Sequence, residues 1–245
     1  MSLKKIEKIY KILYEFYGPQ GWWPICLDGR SVYRKNYFGP LSDSQRFEIC
    51  VGAILTQNVS WKNVEKCIVK LKENRMLDPV KIIEEPDEKI YPLIISSGYY
   101  KQKALKLKNI SRWIIHKGGD FKKIFKKNPY KIRNELLLIN GIGKETADSI
   151  LLYAGYLPFF VIDAYTKRIF ERIFNRICYE YDELQNLFQE SLPLDHRIYN
   201  EYHALIVEIS KNICLKNDPQ CLRCPLRMLC SYGRDYGGRN NRKTS

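Results

Sequence analysis

The chain has 245 residues, 45% of them hydrophobic, and a formal net charge of +14. That balance allows a packed core in one large domain or two small ones and excludes a globally disordered chain. No stretch reaches the roughly 18 apolar residues that cross a bilayer, and the opening MSLKKIEKIYKILYEFYG lacks the unbroken apolar core of a secretion signal, so a cytoplasmic protein with no membrane partner is expected. Such an excess of positive charge points first to nucleic acid and then to acidic membranes; a merely basic surface is the plainer reading.

Nearly every segment reads as helix. Ile6, Ile9, Tyr10, Leu13, Phe16 and Tyr17 make one apolar face near the N-terminus. Residues 18–41 hold Gly18, Pro19, Gly21, Pro24, Gly29, Gly39 and Pro40 and read as loop, with VYRKNYF the one weak strand pattern. Ser42 or Asp43 can cap a helix through FEICVGAILTQN. Helices are predicted over 61–73, 88–95, 101–116 and 131–139, then through ETADSILLYAG to Gly155, from a cap at Asp163 to Phe174, and over 182–190 and 201–212. From Lys101 to Arg133, twelve Lys or Arg face a single acid, Asp120, with apolar residues interleaved at helical spacing. That is a basic outer face over a buried stripe, or a solvated face with no partner. The glycine-rich basic tail from Gly233 is expected to be mobile.

Of eight cysteines, Cys26, Cys50, Cys67 and Cys178 are scattered, whereas Cys214, Cys221, Cys224 and Cys230 follow C-x6-C-x2-C-x5-C. Four clustered thiolates can hold a [4Fe–4S] cluster or a zinc ion. Zinc sites usually pair two close knuckles, and only one such pair is present here. Upstream, Asn140-Gly141-Ile142-Gly143 links two short helices. Gly141 and Gly143 are expected to permit positive φ and close backbone approach, so that the turn and the start of the next helix can hold a phosphate without reading bases.

The segment LLLINGIGKETADSILLYAGYLPFFVIDAYTKRIFERI resembles the helix–hairpin–helix, loop and aspartate of the endonuclease III superfamily. GAILTQN, SSGYYKQKA and the C-terminal cysteine spacing follow in the family's order, over roughly residues 42–231. The resemblance implies an all-α fold of two helical domains. Residues 42–157 would form a six-helix barrel carrying the hairpin. Residues 1–41 and 158–245 would form a domain with a [4Fe–4S] loop held by Cys214, Cys221, Cys224 and Cys230. It further implies a monomeric, nucleoid-associated DNA glycosylase of base excision repair, with double-stranded DNA containing a damaged base across the cleft between the domains. Asp163 would be the catalytic carboxylate, although the same residue reads as a plain helix cap. Gln57 would fill the hole left by the flipped base, and Tyr99 would wedge into the stack. Gly141, Ile142, Gly143, Lys144, Thr146, Arg223 and Arg227 would contact DNA.

Two departures from the family pattern carry chemistry. Bifunctional members form a Schiff base through a lysine on the hairpin helix. That position is Glu145, and Lys144 lies about 100° around the helix, so strand nicking by that route is not expected. Adenine-mismatch enzymes protonate their leaving group with a glutamate that corresponds here to Gly52. Trp22-Trp23-Pro24 and GIGKETAD resemble the 3-methyladenine branch, which implies an alkylated, cationic purine held by Trp22, Trp23, Phe47 and Lys211, with Glu145 near the pocket. The competing readings are a glycosylase/lyase for oxidised pyrimidines using another amine, and a non-catalytic iron–sulfur DNA-binding protein.

Overall fold

The computed structural model describes residues 3–177 and 179–235. Cys178 and most of the basic tail noted above therefore lie outside the described residues. The chain forms two compact units. One is Trp23–Leu157, and the other is built from both chain ends, Met1–Trp22 and Pro158–Ser245. Both are helical, and the only sheet among the described residues is a two-stranded hairpin.

In the central unit, β1 (Ile25–Leu27) and β2 (Arg30–Val32) pair antiparallel, with Ile25 opposite Val32. The Asp28-Gly29 turn takes positive φ at both residues, 48° and 72°, which matches the right-handed twist of the strands. The strand pattern expected at 32–38 is thus displaced toward the N-terminus. The amide of Cys26 donates to buried Glu48 Oε1 at 2.5 Å, and Trp23 packs on Trp61 and Tyr153. These contacts place residues 23–41 with the central unit rather than with the chain ends.

Helix α2 (Asp43–Leu55) starts in a capping box: Ser42 accepts from the Gln45 amide, and the Gln45 side chain accepts from the Ser42 amide. Then come α3 (Trp61–Glu73) and α4 (Pro79–Glu84), the latter begun by Asp78 and by proline at its first turn. Helix α5 (Asp87–Ile94) runs into a 3-10 turn, Ile95–Ser97, before the long α6 (Tyr100–His116). Helices α7 (Phe121–Phe125) and α8 (Pro129–Leu137) are capped by Asp120 and Asn128. Helix α9 (Lys144–Ser149) continues as a wider π turn, Ile150–Ala154, closed by Gly155. The single helix expected there is therefore two kinds of helix in series. Arg46 of α2 donates to the Ala154 carbonyl at its end.

The terminal unit contains α1 (Leu3–Tyr17), α10 (Ala164–Phe174), α11 (Tyr181–Ser191), α12 (His196–Asn212) and the short α13 (Ser231–Arg234). Helix α12 begins five residues before the predicted start, because Asp195 caps it. Phe160 stacks on Phe188 at 3.8 Å, with Tyr199 and Tyr202 edge-on around Phe160. Tyr202 is fully buried and satisfies its hydroxyl by donating to the Ile6 carbonyl at 2.9 Å. This contact ties the first helix to the penultimate one.

Candidate active site and DNA-contact elements

Asp163 is the N-cap of α10. Its Oδ1 accepts from the Thr166 amide at 2.7 Å and from the Thr166 hydroxyl at 2.8 Å. Its other oxygen, Oδ2, lies 3.6 Å from His203 Nε2 on α12. The Asp163 side chain is 12% exposed and that of His203 is 9% exposed. Burial pushes this carboxyl up, but His203 and Thr166 reverse the effect and hold it below the ordinary carboxylate value. The cap geometry therefore produces an anion near the protein surface with one oxygen fixed by Thr166. His203 was not singled out from sequence.

A second assembly lies within the central unit. Gln57 Nε2 donates to the Gly141 carbonyl at 3.1 Å and to Thr146 Oγ1 at 2.9 Å, while Lys106 Nζ donates to Gln57 Oε1 at 2.6 Å. Lys106 also lies over the hairpin. A Cβ on Gly141 would stand 2.4 Å from its Cγ, and Gly141 has φ +94°. Glycine is required at 141 on both counts. Beside this network is a polar pocket of about 170 Å³ lined by Gln57, Asn58, Tyr99, Gln102, Lys103 and Lys106. Tyr99 is 73% exposed and left-handed, with φ +45°.

The structure corrects several expectations. Gly143 has φ −91°, not a positive value, and nothing lies within 4 Å of an added Cβ there. It leaves open space rather than a strained turn. Ile142 is buried, and its amide already donates to the Ile139 carbonyl. Thr146 is buried and holds Gln57. Neither side chain is presented outward, because the hairpin uses both for its own packing. Phe47 is 0% exposed and so has no open face for a base. Trp23 is half-buried in an aromatic cluster, 5.1 Å from both Trp61 and Tyr153, and lies over Gly52. Trp22 keeps a half-exposed ring with Lys211 Nζ 5.8 Å from its centroid. Lys144 and Glu145 are exposed at the start of α9, and Arg223 is exposed while Arg227 is half-buried.

Two arginines of α10, one turn apart, hold the start of the cysteine loop at Cys214. Arg168 donates to the Cys214 carbonyl, and Arg172 donates to Cys214 Sγ at 3.1 Å and to the Leu215 carbonyl at 2.7 Å. The Gly233 amide donates to Cys230 Sγ at 3.3 Å. Burial pushes the Cys224 thiol up to about 12, and Cys214, Cys230 and Cys221 push it the same way. Among the described residues no three potential ligands stand at metal-binding spacing, yet four thiols in mutual electrostatic reach, two of them receiving N–H bonds, are a donor set that suits an iron–sulfur cluster.

Residues 51–194, more than half of the chain, match the model of the HhH-GPD superfamily of base excision DNA repair proteins. The chain belongs to that superfamily. A DNA repair glycosylase homologue of Methanocaldococcus jannaschii is 45% identical over 94% of this chain and 97% of its own length. Endonuclease III of Thermotoga maritima is 28% identical over 80% of this chain and 87% of its own length. Among solved structures, Helicobacter pylori 3-methyladenine DNA glycosylase bound to 1,N6-ethenoadenine superposes with a TM-score of 0.68 at 28% identity, covering 84% of this chain and 97% of that one. A non-covalent endonuclease III–DNA complex shares the fold, with a TM-score of 0.73 at 21% identity over 96% and 98% of the two chains. This HhH-GPD protein is a DNA N-glycosylase of base excision repair. No helix among the described residues is long and apolar enough to cross a membrane.

Proposed function

We propose that this glycosylase is monofunctional, acts as a monomer on double-stranded DNA and releases alkylated purines. The observation that carries the reading is Trp23 lying on Gly52. A Cβ at residue 52 would stand 2.9 Å from Trp23 Cζ2, so no carboxylate side chain fits where a general acid would be needed. A base that leaves without that help must be a good leaving group in its own right, and N3- and N7-alkylated purines meet this because they are cationic and leave as neutral bases. Lys211 already rests its ammonium over the Trp22 ring, which marks that ring as a cation-binding face. The 3-methyladenine glycosylase among the structural relatives favours the same substrate class.

In this reading Asp163 acts as the ionised carboxylate. It stabilises positive charge on the sugar and orients or deprotonates the attacking water. Gln57 and Tyr99 enter the duplex around the flipped nucleotide. The backbone at Gly141 and Gly143, with Lys144, Arg223 and Arg227, holds phosphates and gives a salt-dependent grip. Glu145 stands where a nucleophilic lysine would be and supplies no amine. Lys103 does not replace it: it is 2% exposed and already donates to two backbone carbonyls. Cys214, Cys221, Cys224 and Cys230 would hold a [4Fe–4S] cluster, which when bound would fasten the loop that presents Arg223 and Arg227.

One experiment covers the reading. Duplexes carrying 3-methyladenine, 7-methylguanine, uracil, thymine glycol and 8-oxoguanine are scored for base release, strand nicking and borohydride trapping, with iron and zinc counted in the same preparation. Release of the methylated purines without nicking or a trapped adduct is expected, and Asp163→Asn should abolish release while keeping duplex binding. Excision of thymine glycol with a covalent adduct would establish the lyase alternative, and a zinc-only preparation would refute the cluster.

A further inference from the structure

Lys103 lies on the buried stripe of α6, in series with Leu107, Ile110 and Ile114. An ammonium in such a place needs acceptors, since an unpaired charge in the core is costly. Its Nζ donates to the Leu55 carbonyl at 2.8 Å and to the Ser97 carbonyl at 2.6 Å. Leu55 is the last residue of α2, and Ser97 is the last of the 3-10 turn that follows α5. The Leu55 carbonyl is at the negative end of α2, where a cation is favoured, and the Ser97 carbonyl is the last of a short 3-10 turn. Burial, with Lys106 nearby, lowers the Lys103 amine to about 8.

The two anchored carbonyls have equivalent places in the chain. Leu55 precedes Gln57 by two residues, and Ser97 precedes Tyr99 by two. Between Ser97 and α6, Gly98 and Tyr99 take φ of +63° and +45°, a conformation that local sequence alone does not favour for tyrosine. Gln57 and Tyr99 then face the same polar pocket, which Lys103 also lines. We propose that Lys103 is a positioning residue that sets the spacing between the hole-filling Gln57 and the wedge Tyr99 before DNA is engaged. This rests on the reading that those two side chains enter the duplex. The benefit is preorganisation: both turns are held from one charged centre, and a displacement of about 1 Å at such a site costs up to a hundredfold in rate.

The test uses the full-length protein and a duplex with 2-aminopurine beside a tetrahydrofuran abasic analogue, so it does not depend on which lesion is excised. Stopped-flow fluorescence reports insertion, and gel shift on undamaged duplex reports phosphate binding. Lys103→Met is expected to slow insertion about ten- to hundredfold and to change undamaged-duplex affinity less than about twofold. Lys103→Gln, which keeps two N–H donors, should recover part of the rate. In a double-mutant cycle, Lys103→Met should add little once Tyr99→Ala and Gln57→Ala are present. If Tyr99→Ala and Gln57→Ala slow insertion but a folded Lys103→Met does not, the proposal is overturned while the wedge reading stands. If Tyr99→Ala and Gln57→Ala have no effect, both fall. Should Lys103→Met not fold, Gly98→Ala perturbs the same turn without touching the lysine, since nothing lies within 4 Å of the added carbon. An unchanged insertion rate in that variant overturns the proposal.

Discussion

Replacing Gly52 with alanine sets two opposed effects against each other at one atom. Gly52 is buried inside α2, and alanine there gains about 0.5–1 kcal/mol of helix propensity. The same methyl group would stand 2.9 Å from Trp23 Cζ2, 3.1 Å from Nε1 and 3.3 Å from Cε2. The indole has little room to yield, being edge-on to Trp61 and tilted on Tyr153 at 5.1 Å each. Overpacking of this kind costs about 1–3 kcal/mol, so Gly52→Ala should destabilise by up to about 2.5 kcal/mol net. With Trp23→Leu, whose side chain ends before the three crowding ring atoms, the same substitution should keep only its helix gain. The two changes should therefore couple by about 1–3 kcal/mol in a double-mutant cycle read by denaturant unfolding. A Gly52→Ala variant that is more stable by the full helix gain with Trp23 intact would refute the seating of the indole on Gly52. The argument against a general acid at that position would fall with it.

Two other perturbations follow from the geometry. The Asp163 carboxyl is held below its ordinary value, and the active form is the anion. Base release and the stability that Asp163 contributes are therefore present above the unfolded-state value of about 4 and are lost as pH falls through the lower folded value. His203→Ala should move the acid limb of a single-turnover pH profile upward; an unmoved limb would show that His203 does not act on this group. Arg133 binds Asp148 through two nitrogens, at 2.6 and 3.0 Å, and the Asp148 side chain is 0% exposed. Arg133→Met removes both of these bonds from a buried carboxylate and should cost about 3–5 kcal/mol; a loss under about 1 kcal/mol in denaturant unfolding would show the pair to be dispensable.

Several helix boundaries were legible because their causes are local. Ser42 with Gln45 and Asp163 with Thr166 act over three residues, and Ile110 and Ile114 of the expected stripe are fully buried, whereas Leu105 is exposed. Helix α4 has an equally local signal in Asp78-Pro79, but its six residues are too few to show a periodic apolar face. Lys103 reads from sequence as one of twelve cations on an outer face, yet it is 2% exposed, and only its two carbonyl partners explain why it belongs inside.

By itself, then, the sequence determined the helical class, the order of hairpin, aspartate and cysteines, the absence of a lysine at 145 and the glycine at 52. Tertiary structure decided which of those side chains are available. It buried Phe47, Ile142 and Thr146, and it docked Gln57 on a hairpin 89 residues away, at Thr146. It also filled the space at Gly52 with an indole from a loop 29 residues earlier. The reason is physical: a cap or a turn is settled by neighbours within about four residues, whereas the direction a side chain faces is settled by whichever distant element packs against it.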